Sequence, residues 1–187
     1  MYMSTVPMMD CGKLRSDKLV IVIDMQKDFV TGSLGSPLAQ KIVPSLIEHL
    51  EEVDCPILFT MDTHDKNYLD GPEGKYLPVK HCIKGTEGHL LIDELIPFAQ
   101  RKSSVLIEKP TFGSVQLAES IATNKNIKEV ELMGVCTDIC VVSNALLLRA
   151  FRPDLVIKVN PRLCAATSEK NQESALDILR SCQIEVL

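Results

Sequence analysis

Apolar residues follow two patterns along this chain. Short unbroken runs rich in β-branched residues alternate with longer stretches in which apolar positions recur every three to four residues. Leu19-Val20-Ile21-Val22-Ile23 is the first such run. A strand covered by protein on both faces has no polar side, so continuity rather than alternation marks it. Similar runs at 56–61, 104–108, 129–133, 155–159 and 184–187 predict five more strands. Between them, 38–52 puts Ile42, Leu46, Ile47 and Leu50 on one helical face. Segments 114–124, 138–150 and 168–181 read as helices, and 89–98 as a shorter one. Segment 62–88 is polar and rich in Gly and Pro. A loop of that length inside a compact domain is usually functional or disordered.

Strict alternation of strand and helix predicts an α/β fold: three layers, αβα, around a six-stranded, mostly parallel, Rossmann-like sheet with right-handed crossovers. The 187 residues suit one domain, and neither a repeat nor a linker interrupts them. Residues 1–17 are mixed polar and apolar, lack the apolar core of a secretory signal, and are expected to be an extension outside a domain spanning 18–187.

Composition narrows the function. Net charge is −5 with no basic tract, which argues against nucleic acid and anionic membrane surfaces as partners. No apolar run approaches the roughly 20 residues needed to cross a bilayer. Seven cysteines, an odd number with no export signal, favour reduced thiols and a cytoplasmic location.

Open parallel sheets bind ligands at the carboxyl ends of their strands. Asp24 follows the first strand, Asp62 and His64 the second, Lys109 the third, and Cys136 and Cys140 the fourth. An acid, two metal-ligand types, a cation and a thiol therefore gather at one edge. Thr137 or Asp138 can cap the helix after strand four, which places Cys140 in its first turn. The positive end of a helix favours a thiolate, by only about 0.3–1 kcal/mol where exposed. Lys109 can supply a further positive charge, and Asp24 can accept the thiol proton. Plainer roles suit the same residues: Cys140 packed under its helix, Asp24 capping a turn, Lys109 in solvent. In the polar loop, Asp62-Thr63-His64 is a D-x-H pair, with His81 17 residues beyond His64 and Glu73 and Asp70 between them. Carboxylate and imidazole donors suit Zn²⁺, Mn²⁺ or Fe²⁺. His89 lies close by. No Gly-rich phosphate loop follows strand one, which argues against a flavodoxin-like nucleotide binder.

Three segments together resemble the isochorismatase-like cysteine hydrolases, from about Leu19 to Leu187. Asp24-Met25-Gln26-Lys27-Asp28-Phe29 is similar to the family's D-x-Q-x-D-F, Glu108-Lys109-Pro110 to its lysine segment, and Gly134-Val135-Cys136-Thr137-Asp138-Ile139-Cys140-Val141 to its G-V-x-T-D-x-C-V signature. The resemblance implies Asp24 as acid/base, Lys109 as its cation and Cys140 as nucleophile. It also implies a cis peptide before Cys136, with the backbone N–H groups of Cys136 and Cys140 as oxyanion donors. Within the family, Asp62-Thr63-His64 and Leu77-Pro78-Val79-Lys80-His81-Cys82-Ile83-Lys84-Gly85-Thr86-Glu87-Gly88 resemble the nicotinamidases. That implies a divalent metal, Zn²⁺ first, on Asp62, His64 and His81, with Glu73 as a further candidate. It also implies hydrolysis of nicotinamide to nicotinate and ammonia in NAD salvage, and a homo-oligomer, dimer or tetramer. This segment departs from the pattern by one extra residue before His81 and by Leu77 where nicotinamidases carry Trp; the chain has no Trp. Phe29 is then one wall for the ring, Leu77 stands at the other, and Tyr68 or Tyr76 is the substitute aromatic. The alternatives are another amidase or ureido-hydrolase of the family acting on a non-pyridine substrate, and a non-catalytic binding protein on the same fold.

Overall fold

The computed structural model describes residues 14–187, so most of the expected 1–17 extension lies outside the described residues. Leu14 is buried, and its carbonyl accepts a hydrogen bond from Asn124 Nδ2 at 3.1 Å, so the core takes in this residue of that segment.

All six strands form one sheet: β1 (Lys18–Ile23), β2 (Ile57–Asp62), β3 (Val105–Lys109), β4 (Glu129–Val135), β5 (Val156–Ala165) and β6 (Glu185–Val186). The order is β3-β2-β1-β4-β5-β6, and every pairing is parallel, where the pattern had predicted mostly parallel. The continuous apolar runs are explained by burial: β2 is buried at every position and β1 at all but its first. The strand after Leu155 runs to Ala165, well beyond the expected 159, because the chain re-pairs with β4 after a register shift between Leu132 and Gly134.

The helices are α1 (Lys27–Val30), α2 (Pro37–Glu52), α3 (Pro72–Tyr76), α4 (Ile96–Ala99), α5 (Val115–Thr123), α6 (Val142–Phe151) and α7 (Glu169–Ser181). Ser36 caps α2 by accepting from Ala39 N–H, and Pro37 begins it where no N–H is required. Its buried face is Ala39, Ile42, Leu46 and Leu50, with Ile47 partly covered. Right-handed crossovers toward β3 put α2 and α4 on one face of the sheet, and those toward β6 put α5, α6 and α7 on the other. The expected helix at 89–98 is a 3₁₀ turn at Asp93–Leu95 followed by α4; Pro97 sits in the first turn of α4, where its missing N–H costs nothing.

Strand order reverses between β1 and β4, and this reversal opens the crevice in which doubly wound sheets bind ligands. Two backbone features shape it. Asp24 has φ 49°, which turns the chain sharply as it leaves β1. Gly134 has φ +116°, and a Cβ there would lie 2.1 Å from the Ile23 carbonyl oxygen. Only glycine lets β4 approach β1 so closely at the crevice. Among the described residues no helix is long and apolar enough to cross a membrane. Gly134→Ala is expected to destabilise the fold by about 2 kcal/mol or more, read as a lower urea midpoint; an unchanged midpoint contradicts the close approach.

Candidate active site

Lys109, the last residue of β3, ends at the centre of the crevice with its side chain fully buried. Its Nζ lies 2.6 Å from Asp24 Oδ2, 3.4 Å from Asp62 Oδ1 and 3.6 Å from Cys140 Sγ, and donates to the Thr111 carbonyl at 3.0 Å. Burial pulls its pKa down, but Asp24, Cys140 and Asp62 together hold it above the ordinary lysine value. Asp24 is fully buried, and its Oδ1 accepts from Thr60 Oγ1 at 2.7 Å. Burial raises the Asp24 carboxyl and the charge of Asp62 adds to the rise, against the pull of Lys109. The three residues expected from strands one, three and four are thus brought into one cluster.

Cys140 lies in a π-helical turn, Thr137–Val141, between β4 and α6. The expected side-chain cap is not made. Thr137 Oγ1 is buried without a hydrogen-bond partner among the described residues. Asp138 turns the other way and accepts from Thr167 N–H (3.0 Å), Thr167 Oγ1 (2.5 Å) and Asn171 Nδ2 (3.1 Å). The reason is that the chain after β5 returns alongside this turn and offers Asp138 several donors at once. Nor does the helix end produce a standing thiolate: burial first, then the Asp24 carboxylate, push the Cys140 thiol well above its ordinary value, against Lys109. Burial also pushes the Cys136 thiol up, to about 12. The Val135–Cys136 peptide is cis.

Asp62, His64, Glu73 and His81 converge beside this cluster, their donor atoms all within 4.8 Å of one another. His64 Nε2 is 2.9 Å from Asp62 Oδ2 and 3.7 Å from Glu73 Oε1; His81 Nε2 is 3.4 Å and 3.9 Å from the same two atoms. Metal–ligand bonds of 2.0–2.2 Å in a tetrahedral site imply ligand–ligand separations of about 3.3–3.6 Å. The observed spacings bracket that value, so the donor set fits a divalent cation. The His81 ring is oriented through Nδ1, 2.9 Å from the Val79 carbonyl, as metal-binding imidazoles commonly are. Burial raises Asp62, but bonds from His64 and His81 and the charge of Lys109 outweigh it and hold its carboxyl low. Asp70 is exposed and outside the group, and His89 is buried with its ring against Thr63 Oγ1 at 2.9 Å.

A cavity of about 430 Å³ opens over Cys140 and the Asp62–Glu73–His81 side of this group. Phe29, Leu77 and Tyr76 line it, Tyr76 from an exposed rim position. Tyr68 does not. It is buried behind the histidines, its ring 4.7 Å from that of His64 and 4.9 Å from that of His81, and its hydroxyl donates to the Leu77 carbonyl. Apolar packing of the ring and a bonded hydroxyl make it support for the donor group rather than a wall of the cavity. Two further residues have roles that their sequence positions leave open. Phe112, three positions after Lys109, lines the cavity from the loop after β3. Gln26, fully buried, accepts from Asp62 N–H (2.8 Å) and donates to the carbonyls of Asp62 (2.9 Å) and His89 (2.8 Å), fixing the backbone of Asp62. Its position two residues after Asp24 was the available signal.

Comparison with known proteins gives the family and the fold. The Isochorismatase domain profile matches residues 18–187. The uncharacterized isochorismatase family protein PncA of Bacillus subtilis (strain 168) is 31% identical over 173 residues, covering 85% of this chain and 92% of that protein. The crystal structure of pyrazinamidase/nicotinamidase from Streptococcus mutans UA159 superposes with a TM-score of 0.80 at 28% identity, covering 91% of this chain and 99% of the other. The pyrazinamidase of Pyrococcus horikoshii in complex with zinc gives 0.76 at 26% identity, covering 91% and 98%. Fold and site together define a cysteine-dependent amide hydrolase. The chain belongs to the isochorismatase family.

The charges around Cys140 have signs that an experiment can read. Asp24→Asn removes a neighbouring negative charge and is expected to shift the pH profile of iodoacetamide alkylation downward, whereas Lys109→Met shifts it upward. Coincident profiles for wild type and both variants contradict the charge assignment.

Proposed function

We propose that this protein is a nicotinamidase, hydrolysing nicotinamide to nicotinate and ammonia through a thioester on Cys140, in cytoplasmic NAD salvage and as a homo-oligomer. The observation that carries the reading is one cavity lined both by Cys140, which Lys109 and through it Asp24 adjoin, and by Asp62, Glu73 and His81 of the donor group.

Asp24 accepts the proton of Cys140 as the sulfur attacks the amide carbonyl. Its raised pKa makes it a stronger base than an ordinary carboxylate, and the thiol stays neutral until substrate arrives. Lys109 keeps the charge of the pair balanced throughout. The backbone N–H groups of Cys136 and Cys140 hold the developing oxyanion; one such donor is commonly worth about 2.7–4 kcal/mol. Asp24 returns the proton to the departing nitrogen, then takes one from the water that cleaves the thioester. A divalent metal held by Asp62, His64, His81 and Glu73 would coordinate the ring nitrogen and so orient the substrate. Phe29, whose ring lies 5.5 Å from that of His81, would be the fixed wall beside the ring, facing Leu77.

Leu77 in place of an aromatic supports a second reading, a family amidase or ureido-hydrolase acting on a non-pyridine substrate. Ammonia release from nicotinamide, with and without prior chelation, separates the two. The nicotinamidase reading expects release that chelation suppresses and added Zn²⁺ restores, and a loss of at least about 10⁴-fold in kcat in Cys140→Ala with its circular dichroism unchanged. No release by metal-loaded protein, or undiminished turnover by Cys140→Ala, overturns it.

A further inference from the structure

The cavity is longer than nicotinamide requires. Along the sheet, Asp62 ends β2, Asp24 follows β1, Cys136 and Cys140 follow β4, and Ala165 ends β5. Neighbouring strands lie about 4.8 Å apart, so the cavity, lined from Asp62 to Ala165, spans about three strand spacings, or 14 Å. A pyridine carboxamide with its ring toward His81 and its carbonyl at Cys140 covers the part over β2, β1 and β4. The part over β5 is left, and its walls are mostly apolar: Leu34, Ala39, Ala165 and Ala166, beside Ile139, with the hydroxyl residues Ser36 and Thr167 among them.

This extra end is built into the fold. Val135 pairs with Ala165 in register, so the alanine wall stands one strand from the turn that carries Cys140. Asp138 of that turn ties down the segment after Ala166 through Thr167 N–H and Oγ1 and Asn171 Nδ2. Ala39, Ala165 and Ala166 are themselves buried.

Amide geometry says what fits there. In a trans secondary amide the substituent on nitrogen points away from the acyl group, its first carbon about 3.8 Å beyond the carbon that carries the carbonyl. That is close to one strand spacing. With the ring toward β2 and the carbonyl at Cys140, an N-substituent therefore points toward β5. Resting on the nicotinamidase reading, we infer that this enzyme also hydrolyses N-alkyl amides, with a small apolar substituent of the leaving amine seated against Ala39, Ala165 and Ala166. The reaction balances as for the primary amide. The Cys140 sulfur–carbon bond forms and the carbon–nitrogen bond breaks, the thiol proton travels through Asp24 to the departing amine, and water then splits the thioester to acid and thiol.

The test compares nicotinamide with N-ethylnicotinamide on the metal-loaded protein, following nicotinate by chromatography. The inference expects kcat/KM for N-ethylnicotinamide within about thirtyfold of that for nicotinamide. It also expects Ala166→Leu to lower the ratio of the two values at least about tenfold. Calorimetry on Cys140→Ala supplies a readout without turnover: N-ethylnicotinamide is expected to bind at least as tightly as nicotinamide. If nicotinamide is turned over but N-ethylnicotinamide falls further behind, binds more weakly, or keeps its ratio in Ala166→Leu, this inference fails alone. If nicotinamide itself is not hydrolysed, the nicotinamidase reading fails and this inference with it.

Discussion

A lysine ammonium shut away from water has to be neutralised by the protein around it, and the crevice is arranged about how this is done for Lys109. Removing an ion from water costs several kcal/mol even after relaxation, so a buried lysine persists only against carboxylates held close and in place. Asp24 and Asp62 meet it from two sides, at 2.6 Å and 3.4 Å. With both carboxylates ionised the three groups carry one net negative charge (+1 − 2 = −1). Cys140 therefore has no surplus of positive charge to set against its burial, and burial first, then Asp24, pushes its thiol up. The excess negative charge lies on the Asp62 side, where two imidazoles and Glu73 gather donor atoms that fit a divalent cation. Asp62 thus belongs to both halves of the site and couples the charge of one to the other.

That arrangement depends on the sheet. Four of the residues concerned lie on or just after strands, so their separations are set by strand spacing and by the pairing of β1 with β2 and β4. Gly134 lets β4 lie close against β1, and the left-handed turn at Asp24 sends the chain toward Gln26. Gln26 then grips Asp62 by both its backbone N–H and its carbonyl. Asp28, further along the same segment, accepts from the N–H of Cys82 at 2.8 Å, next to His81. One short stretch after β1 thus carries the buried carboxylate and also steadies two of the metal-ligand candidates.

What could be read from the sequence was what depends on local pattern. Continuous apolar runs gave the strands, and alternation with helices gave the parallel sheet and hence the edge on which Asp24, Asp62, Lys109 and Cys140 meet. Features decided by distant chain segments were not legible. Asp138 looks like a helix cap until Thr167 is seen beside it, and Tyr68 looks like a ring wall until the histidines are seen packed against its ring. Phe112 and the alanines after β5 have no chemistry of their own to draw notice; they matter only because a cavity forms between them. The direction of the Cys140 shift was also hidden, since burial outweighs a helix end and burial is a property of the folded chain.

The account rests on Cys140 carrying the acyl group, and acid quenching of the metal-loaded enzyme during steady turnover of nicotinamide, followed by peptide mass spectrometry, tests this most directly. The account predicts a nicotinoyl adduct on the peptide containing Cys140, located to that sulfur by fragmentation and absent from Cys140→Ala. An adduct located to Cys136, or steady turnover in Cys140→Ala, would contradict it.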